Sequence, residues 1–272
     1  MKTALSTLEL RRAHTLEDAL AIMRTEQRVP IAGATDLYVG LNFGTLQATR
    51  FVDIWPLDEL RTITVADDRL VLGALVTYSA MLASPAVRDR LPMMIEAARQ
   101  VGGAQIQNRG TVGGNIANGS PAGDSLPVFA AADAVVVLRS VDGERRIPFN
   151  AFYTGYRATV MRADELIVAV EVPRVNGTQW FRKVGTRAAQ AISKIVVAAV
   201  RGSPPRIAVG SVAPTVVRLT ATERALAAGS SLDDALVVLR SEVRPIDDVR
   251  STADYRKRVT ENLVRRFWVD TA

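Results

Sequence analysis

The fourteen residues TVGGNIANGSPAGD, positions 111–124, place four glycines and two asparagines in one short stretch. Glycine loses more conformational entropy on folding than any other residue, so such a cluster requires a reason. Consecutive backbone N–H groups in a glycine-rich turn form a concave nest that binds phosphate. The stretch therefore predicts an anion-binding turn. In this turn, Gly113 and Gly114 let the backbone approach a ligand, and Thr111 and Asn115 donate side-chain hydrogen bonds.

A second segment of the same character, PIAGATDL, spans positions 30–37. It follows a strand that the run RVPIAG predicts to be short and buried, and it carries Gly33 and Thr35. Two such loops can hold one pyrophosphate from two sides. At the end of the glycine-rich stretch, Asp124 is placed to accept a hydrogen bond from a ribose hydroxyl or to cap the helix predicted behind it.

Both loops also have simpler interpretations, which the residues alone leave open. The run AGATD is compatible with a plain turn, and TVGGN is compatible with a β-bulge beside a tight turn. Neither loop matches the patterns GxxxxGK[ST] or GxGxxG, so the nucleotide sites that those motifs form are not indicated.

The composition removes several chemistries from consideration. The 272 residues include no cysteine and a single histidine, His14. Disulfides, thiolate nucleophiles and cysteine-ligated zinc or iron–sulfur clusters are therefore excluded from this chain. His14 lies just before a predicted helix and is interpreted as a surface residue, so neither a Ser-His-Asp triad nor a multi-histidine site is predicted. We predict no catalytic residue and no metal ligand on this chain.

The charge pattern favours protein partners over nucleic acid. The formal net charge is +6, and the basic residues, mostly arginines, are interleaved with 28 acidic ones and form no basic block. We therefore expect a docking surface for other subunits and no nucleic-acid site. No apolar run approaches the roughly 18 residues that span a bilayer. The first twenty residues lack the apolar core of a signal peptide, so we expect a cytoplasmic protein without a membrane partner.

The periodicity predicts an α+β protein with mixed sheets. Two hairpins are predicted, ITV with RLVLGA and AVVVLRS with ERRIPF, together with a long alternating strand at ELIVAVEVP and paired strands at IVVAAV and RIAVGSVA. Helices are predicted at TLEDALAIMRTE, at YSAMLASPAVRDR and in three segments near the carboxyl terminus. The run VPRVNG, positions 172–177, favours a domain boundary. Trp55, Trp180 and Trp268 are interpreted as core residues.

The motifs TVGGNIANGSPAGDSLPVF and PIAGATDL resemble the FAD-binding motifs of the xanthine dehydrogenase family, the molybdenum-containing hydroxylases. Four further segments are similar to later parts of the same family, in order and over nearly the whole chain: FYTGYRATVMRADELI, KVGTRAAQAISKI, GSVAPTVVRLTATERAL and RSTADYRKRVTENLVRRF. Ala34 stands where the family more usually has glycine or asparagine. The chain resembles the separately encoded FAD-binding (medium) subunit of this family.

The resemblance implies a fold and a division of the chain. The expected fold is a split two-subdomain FAD-binding fold of the PCMH / vanillyl-alcohol-oxidase type, followed by a C-terminal α/β flavoprotein domain. The expected parts are an N-terminal FAD-binding subdomain at residues 1–55, a middle FAD-binding subdomain at 56–172 and the C-terminal domain at 178–272. FAD is expected to lie extended between the first two parts.

The resemblance also implies contacts with FAD. The first loop wraps the pyrophosphate and the glycine-rich stretch holds its other side. Asp124 binds the ribose or ribityl region, Ile167 makes a backbone contact, and Lys183 lies close to the cofactor. An exposed strand position is the simpler interpretation of Lys183, and packing with a salt bridge is the simpler interpretation of Tyr156 and Arg157. The predicted cofactor-binding residues are Ile31, Ala32, Gly33, Ala34, Thr35, Asp36, Leu37, Val101, Thr111, Gly113, Gly114, Asn115, Asp124, Ile167 and Lys183.

In function, the resemblance implies an FAD-dependent oxidoreductase subunit of a xanthine dehydrogenase or a related N-heteroaromatic hydroxylase (EC 1.17-like). Electrons are expected to come from a molybdopterin cofactor on a large subunit, through [2Fe–2S] clusters on a small subunit, to FAD on this chain. NAD+, oxygen or another acceptor then receives them. The expected assembly is a hetero-oligomer, a trimer or a dimer of trimers.

Three alternatives belong to other functional classes. A stand-alone FAD-dependent oxidoreductase of the same fold needs its own substrate pocket with a catalytic acid, and the sequence shows none. A non-enzymatic flavin carrier binds FAD but shows no turnover with any partner. A basic nucleic-acid module is colourless and binds DNA with a steep salt dependence.

Overall fold

A computed structural model describes residues 4–188 and 190–272 of the chain. The first three residues of the predicted N-terminal subdomain and position 189 of the motif KVGTRAAQAISKI therefore lie outside the described residues. Three larger β-sheets follow one another along the chain, and each is built from strands of one region.

The amino-terminal region combines a parallel sheet with two helices. Its elements are β1 (Glu9–Arg12), α1 (Leu16–Glu26), β2 (Val29–Ile31), α2 (Leu37–Phe43) and β3 (Arg50–Asp53). The strand order is β1-β3-β2. The predicted helix α1 is confirmed, and the Thr15 hydroxyl caps it by accepting a hydrogen bond from the Asp18 N–H. The prediction that RVPIAG is buried is wrong, because β2 is an edge strand and Val29 is 45% exposed.

The middle region contains an antiparallel sheet whose central strand is buried on both faces. Its strands are β4 (Ile63–Val65), β5 (Arg69–Gly73), β6 (Val135–Ser140), β7 (Gly143–Pro148), β8 (Tyr153–Gly155), β9 (Ala158–Thr159) and β10 (Leu166–Pro173). The sheet order is β4-β5-β10-β6-β7, and β8 pairs with β9. Both predicted hairpins are confirmed. The alternation predicted for β10 is wrong, because Val170 packs into one apolar core and Val168 into a second core shared with α1.

Between β5 and β6, where every residue is described, the chain forms six short helices. They are α3 (Tyr78–Ala83), α4 (Pro85–Arg90), α5 (Pro92–Ala98), α6 (Ala104–Arg109), α7 (Val112–Asn118) and α8 (Leu126–Ala131). The segment YSAMLASPAVRDR is helical as predicted but divides at Ser84, whose hydroxyl caps α4 by accepting from the Val87 N–H at 3.3 Å. Most of the glycine-rich stretch's first half lies in α7, so it is helical where the sequence predicts a turn.

The carboxyl-terminal region packs three helices against an antiparallel sheet. Its elements are β11 (Thr178–Val184), β12 (Ile195–Arg201), β13 (Arg206–Gly210), β14 (Val217–Arg218), α9 (Thr220–Ala227), α10 (Leu232–Glu242) and α11 (Ala253–Asp270). Trp180 is 8% exposed and packs against Phe267, which confirms that this tryptophan is a core residue. Alternate residues of β12 face two cores: Val197 faces the helices of this region, and Ala198 joins the core of the middle region.

The division of the chain at residues 1–55, 56–172 and 178–272 stays a prediction. The first sheet ends at Asp53, the second begins at Ile63 and ends at Pro173, and the third begins at Thr178. Apolar clusters cross both predicted boundaries, so the three regions share buried surface. Among the described residues, no helix has both the length and the apolar character that crossing a bilayer requires.

Candidate functional site

A cleft of about 520 Å³ lies between the amino-terminal region and the helices of the middle region. One wall is the first loop, residues 31–37, every residue of which lines the cleft. Val101, Thr111, Gly114 and Asn115 lie on the opposite side. The structure therefore brings together most of the predicted cofactor-binding residues. The predicted contacts that do not line this cleft are Gly113, Asp124, Ile167 and Lys183.

The first loop presents unpartnered backbone donors to the cleft. No hydrogen bond among the described residues uses the N–H groups of residues 33–37. Ala34 has φ 61°, in the left-handed region, and its carbonyl accepts from the Tyr38 N–H at 3.1 Å as α2 begins. Successive N–H groups around a left-handed residue converge on one point and bind anions. Unpartnered donors beside a left-handed residue are a feature of such nests, and the positive φ accounts for the glycine or asparagine expected at Ala34.

Gly33 is the point at which the two walls of the cleft touch. A Cβ atom built on Gly33 would lie 1.6 Å from the Arg109 carbonyl oxygen and 3.3 Å from the Gly110 nitrogen. No side chain fits between these backbone atoms. The first loop and the end of α6 therefore meet directly through the backbone.

The opposite wall does not form the predicted nest. Thr111 caps α7, and its hydroxyl accepts from the Gly114 N–H at 3.1 Å. The Gly113 N–H donates to the Ala74 carbonyl at 2.8 Å. Gly113 and Gly114 therefore lie in a helix and not in the predicted turn, and protein acceptors bond their N–H groups, while a contact of this stretch with a phosphate stays a prediction. The Thr111 hydroxyl accepts one hydrogen bond and keeps its O–H for the predicted donation to a ligand.

The two adjacent glycines of α7 have different functions. A Cβ on Gly113 would lie 2.8 Å from the Ala74 Cβ, so this glycine permits helix packing. At Gly114 the Cβ would have one neighbour within 4 Å, the Thr111 Oγ1 at 2.8 Å. Gly114 is exposed to the cleft and Gly113 is buried. Gly114 therefore leaves space for a ligand, and Gly113 does not border that space.

Asn115 is held by a chain of hydrogen bonds. The Ser125 hydroxyl donates to the Asn115 Oδ1 at 2.8 Å and lies 3.1 Å from the Tyr78 hydroxyl. Because the Asn115 oxygen is engaged, the same side chain has its amide N–H groups for a ligand in the cleft. Tyr78 is buried, and burial raises the pKa of its phenol, so the hydroxyl stays protonated.

Asp124 and Lys183 form a buried ion pair away from the cleft lining. The Lys183 Nζ lies 2.6 Å from the Asp124 Oδ2 and donates to the Gln100 carbonyl at 3.1 Å, and the Ser193 hydroxyl donates to the Asp124 Oδ1. Burial raises the pKa of the Asp124 carboxyl, and the Lys183 ammonium opposes this shift. Asp124 is not the N-cap of α8, because Ser125 occupies that position. The Lys183 side chain is 6% exposed, which excludes the interpretation of an exposed strand residue.

Ile167 and Arg157 occupy different surroundings. Ile167 lies in β10 beside a β-bulge, is 3% exposed, and packs into the large core.

The Arg157 Nη1 lies 3.9 Å from the Asp36 Oδ2, which confirms the salt bridge considered for Arg157. Tyr156 is 65% exposed, so it is not a packing residue.

Several residues of the cleft lining were not predicted. They are Val29, Pro30, Leu46, Ala48, Phe51, Tyr78, Ile106, Gly110, Ala117 and Asn118. The helical segment that begins at Tyr78 gives no signal that this residue faces a ligand, because an apolar helical pattern indicates burial only. Ala117 and Asn118 continue α7 beyond Gly114, so recognising the helix in the sequence would have indicated them.

Two family models cover almost the whole chain. The model described as "FAD binding domain in molybdopterin dehydrogenase" matches residues 6–175. The model described as "CO dehydrogenase flavoprotein C-terminal domain" matches residues 180–271. This chain is an FAD-binding medium subunit of the molybdenum hydroxylase / xanthine dehydrogenase family. The recognition from the sequence motifs and the predicted fold class are thereby confirmed.

Relatives of this FAD-binding subunit have several different names. The carbon monoxide dehydrogenase medium chain of Hydrogenophaga pseudoflava is 30% identical, over 87% of this chain and 86% of the relative. The nicotine 6-hydroxylase medium subunit of Paenarthrobacter nicotinovorans is 31% identical, over 94% of each chain. The xanthine dehydrogenase FAD-binding subunit of Escherichia coli O157:H7 is 31% identical, over 94% of this chain and 92% of the relative.

Solved structures match this FAD-binding subunit over its full length. The carbon monoxide dehydrogenase from Hydrogenophaga pseudoflava that lacks the Mo-pyranopterin moiety of the molybdenum cofactor gives a TM-score of 0.89 at 28% identity, over 97% of this chain and 98% of the matched chain. Quinoline 2-oxidoreductase from Pseudomonas putida 86 gives a TM-score of 0.91 at 22% identity, which shows a common fold. Among the described residues, no group of three or more His, Cys, Asp or Glu side chains is placed to hold a metal ion.

Proposed function

We propose that the cleft binds one extended FAD and that the first loop holds its pyrophosphate. The observation that carries this proposal is the run of unpartnered N–H groups at residues 33–37, all of which line the cleft on either side of the left-handed Ala34. A pyrophosphate group needs several converging donors, and such a run supplies them without a basic side chain. The donor set therefore fits the anionic centre of FAD.

The opposite wall contributes space and one amide. Gly114 leaves the cleft open at the point that faces the first loop, since the ideal Cβ position has Thr111 Oγ1 as its neighbour within 4 Å. The Asn115 amide, fixed through Ser125, is available to donate to the cofactor. Thr111 orients this wall by capping α7. In this proposal Gly113 and Ile167 support the wall through packing.

We propose that Asp124 and Lys183 act near the cofactor, although neither residue lines the cleft. The Lys183 ammonium donates to the carbonyl of Gln100, and the next residue, Val101, lines the cleft. The ion pair is thereby bonded to the backbone that leads into this wall. When bound, FAD supplies the redox chemistry, and the chain binds it, orients it and restricts the access of water.

We further propose that this subunit passes electrons from iron–sulfur clusters of a small partner subunit to NAD+ or another acceptor. A large partner subunit would carry the molybdopterin cofactor and the substrate site. The relative named nicotine 6-hydroxylase medium subunit and the solved carbon monoxide dehydrogenase support an assembly of this kind. The absence of cysteine from the chain requires the clusters to lie on a partner.

We propose an N-heteroaromatic ring as the substrate class of the complex. Relatives at 31% identity are named for nicotine and for xanthine, both of which are N-heteroaromatic compounds. The relative named for carbon monoxide, at 30% identity, provides the alternative. The substrate site of the proposed complex lies on the large subunit, so this choice depends on the partner.

The test uses the chain alone and then the reconstituted complex. The purified chain should bind one FAD per chain, identified by release and chromatography, and should not hydroxylate nicotine or hypoxanthine. Adding the small and large partner subunits of the same organism should produce turnover with NAD+ or a dye acceptor. Turnover by the chain alone would instead support a stand-alone FAD-dependent oxidoreductase. FAD binding without turnover in any combination would support a flavin carrier.

A further inference from the structure

Two guanidinium groups contact the ring of Trp55. The Arg61 Cζ is 4.1 Å from the centre of the Trp55 ring, and the Arg109 Cζ is 3.7 Å from it. Trp55 is half-buried, so the interpretation of this residue as a core tryptophan is wrong. A guanidinium this close to an indole ring is held by a cation–π interaction, which is strongest for tryptophan.

Hydrogen bonds connect Trp55 and its neighbour Ile54 to strands β2 and β3, and β2 leads into the first loop. The Trp55 N–H donates to the Asp53 Oδ1 at 3.0 Å, and the Ile54 N–H donates to the Ile31 carbonyl at 3.0 Å. Asp53 also pairs with Ile31 in the β2–β3 register. Since Ile31 begins the first loop, the position of the Trp55 ring is fixed relative to that wall of the cleft.

Arg109 is attached to the opposite wall. It is the last residue of α6, and the next two residues, Gly110 and Thr111, both line the cleft. The Arg109 carbonyl oxygen is also the atom that packs against Gly33. Arg109 therefore joins the two walls twice, once through its backbone at Gly33 and once through its guanidinium at Trp55.

We propose that Trp55 and Arg109 are positioning residues that set the separation of the two cleft walls and thereby the affinity for FAD. This inference rests on the proposed function, because it concerns the same cleft. Neither side chain lines the cleft, so each acts through the backbone that it fixes. Arg61 serves as an internal comparison: it contacts the same ring and donates to the Trp55 carbonyl, but its segment, Asp58–Arg61, does not line the cleft.

The experiment compares four variants of the full chain, Trp55→Leu, Trp55→Phe, Arg109→Met and Arg61→Met, by titrating FAD into the FAD-free protein. We expect Trp55→Leu and Arg109→Met each to weaken FAD binding about tenfold. Trp55→Phe keeps an aromatic face and should recover part of the loss. Arg61→Met should change the FAD dissociation constant by less than about twofold.

A second measurement separates positioning from general stability. The thermal unfolding midpoint of each FAD-free variant is expected to fall by a similar few degrees for Arg109→Met and Arg61→Met, while only the former weakens FAD binding. Equal FAD affinities for these two variants would overturn the inference and leave FAD binding by the parent intact. If Trp55→Leu does not fold, Arg109→Met decides, because it leaves the ring in place. A parent chain that binds no FAD would overturn the proposed function together with this inference.

Discussion

The two walls of the cleft contain similar runs of small residues, with one glycine in the first loop and four in the glycine-rich stretch, but they use their backbone N–H groups in opposite ways. In the first loop, residues 33–37 keep their N–H groups unpartnered among the described residues, and Ala34 adopts a left-handed backbone. In α7, the corresponding donors bond to protein acceptors, and Gly113 is needed because Ala74 packs against it. A run of small residues therefore indicates both walls but does not say in which wall the backbone N–H groups stay free.

The difference follows from what surrounds each segment. A buried backbone N–H must be paired, and the chain at Ala74 passes close enough to α7 to accept from Gly113. The first loop lies at the edge of a three-stranded sheet, where no neighbouring strand offers such acceptors. Backbone donors thus stay free for the proposed anion where no acceptor lies nearby, and a helix with small residues forms where acceptors are present.

The largest effect on FAD binding is expected from adding one carbon atom to the first loop at Gly33. In Gly33→Ala the new Cβ would lie 1.6 Å from the Arg109 carbonyl oxygen, so either the loop or the end of α6 must move. We expect a loss of about 3 kcal/mol in the free energy of unfolding. FAD binding should become undetectable, because the walls separate. Urea denaturation and FAD titration measure the two effects.

Gly40→Ala is the matched control for this substitution. Gly40 lies in α2 just after the first loop, and its Cβ would meet the Leu46 side chain at an ordinary 3.6 Å. This variant should fold and bind FAD like the parent. Retention of parental FAD affinity by Gly33→Ala would show that the contact with Arg109 does not define the cleft.

The second effect concerns the buried pair beside the α7 wall. Lys183→Met leaves the Asp124 carboxyl buried without its cation, which is expected to cost about 3–5 kcal/mol of unfolding free energy at pH 8. Burial already raises the pKa of Asp124, and loss of Lys183 raises it further. The folded state then holds a proton that the unfolded state releases, so stability falls as the pH rises above about 4, the ordinary pKa of aspartate.

Urea denaturation at pH 5 and pH 8 checks this sign. The loss in Lys183→Met should be smaller at pH 5, where the buried carboxyl is more readily protonated. The double variant with Asp124→Asn removes the unpaired charge, so it should recover stability at pH 8 and lose the pH dependence. An equal loss at both pH values would contradict the assignment of the effect to Asp124.

About half of the lining and the fold class could be predicted from the sequence, largely because local motifs resemble those of one protein family. Hairpins, the capped helix α1 and the first loop each follow from residues adjacent in the chain. Lys183 and Asp124 are 59 positions apart, and their pairing depends on how β11 packs against the middle region. The sequence alone cannot show that these two side chains bond to each other, and the direct FAD contacts that the family resemblance implies for them stay a prediction.

The helical state of the glycine-rich stretch was missed for a related reason. Glycine disfavours helix, and propensity alone predicts a turn at Gly113 and Gly114. Tertiary contacts outweigh that preference, since Thr111 caps the helix and the Gly113 N–H bonds to Ala74. The stacking of Arg109 on Trp55 was missed because the two residues are distant in the chain and neither belongs to a recognisable motif.

The third prediction concerns the different effects of substituting the two adjacent glycines of α7. Gly113→Ala places a Cβ 2.8 Å from the Ala74 Cβ and should lower the unfolding free energy of the FAD-free chain by about 1–3 kcal/mol. Gly114→Ala directs its methyl group toward Thr111 and the cleft. Its unfolding free energy should stay within about 1 kcal/mol of the parent, because gained helix propensity offsets a strained cap. FAD affinity should fall clearly in Gly114→Ala.

Calorimetry of the FAD-free variants, followed by FAD titration, distinguishes the two glycines. The expected pattern is a stability defect at Gly113 and a binding defect at Gly114. A reversed pattern would place the ligand against Gly113 and would require a different position for the cofactor.

The smallest effect, and the one with opposite signs in the two walls, is expected from introducing glycine in place of alanine. Ala34 has φ 61°, and a left-handed backbone costs an L-residue roughly 1–2 kcal/mol. Ala34→Gly relieves this strain but increases the entropy of the unfolded chain, so we expect a net gain of about 0.5 kcal/mol in unfolding free energy. Ala117→Gly, in α7 of the opposite wall, should instead lose about 1 kcal/mol, because glycine is a poor helix former. Urea denaturation of the FAD-free chains measures both changes. A loss of stability in both variants would mean that the Ala34 backbone is not strained, and the first loop would then have no conformational preference for glycine. Opposite signs would show that one wall is built around a left-handed turn and the other around a helix.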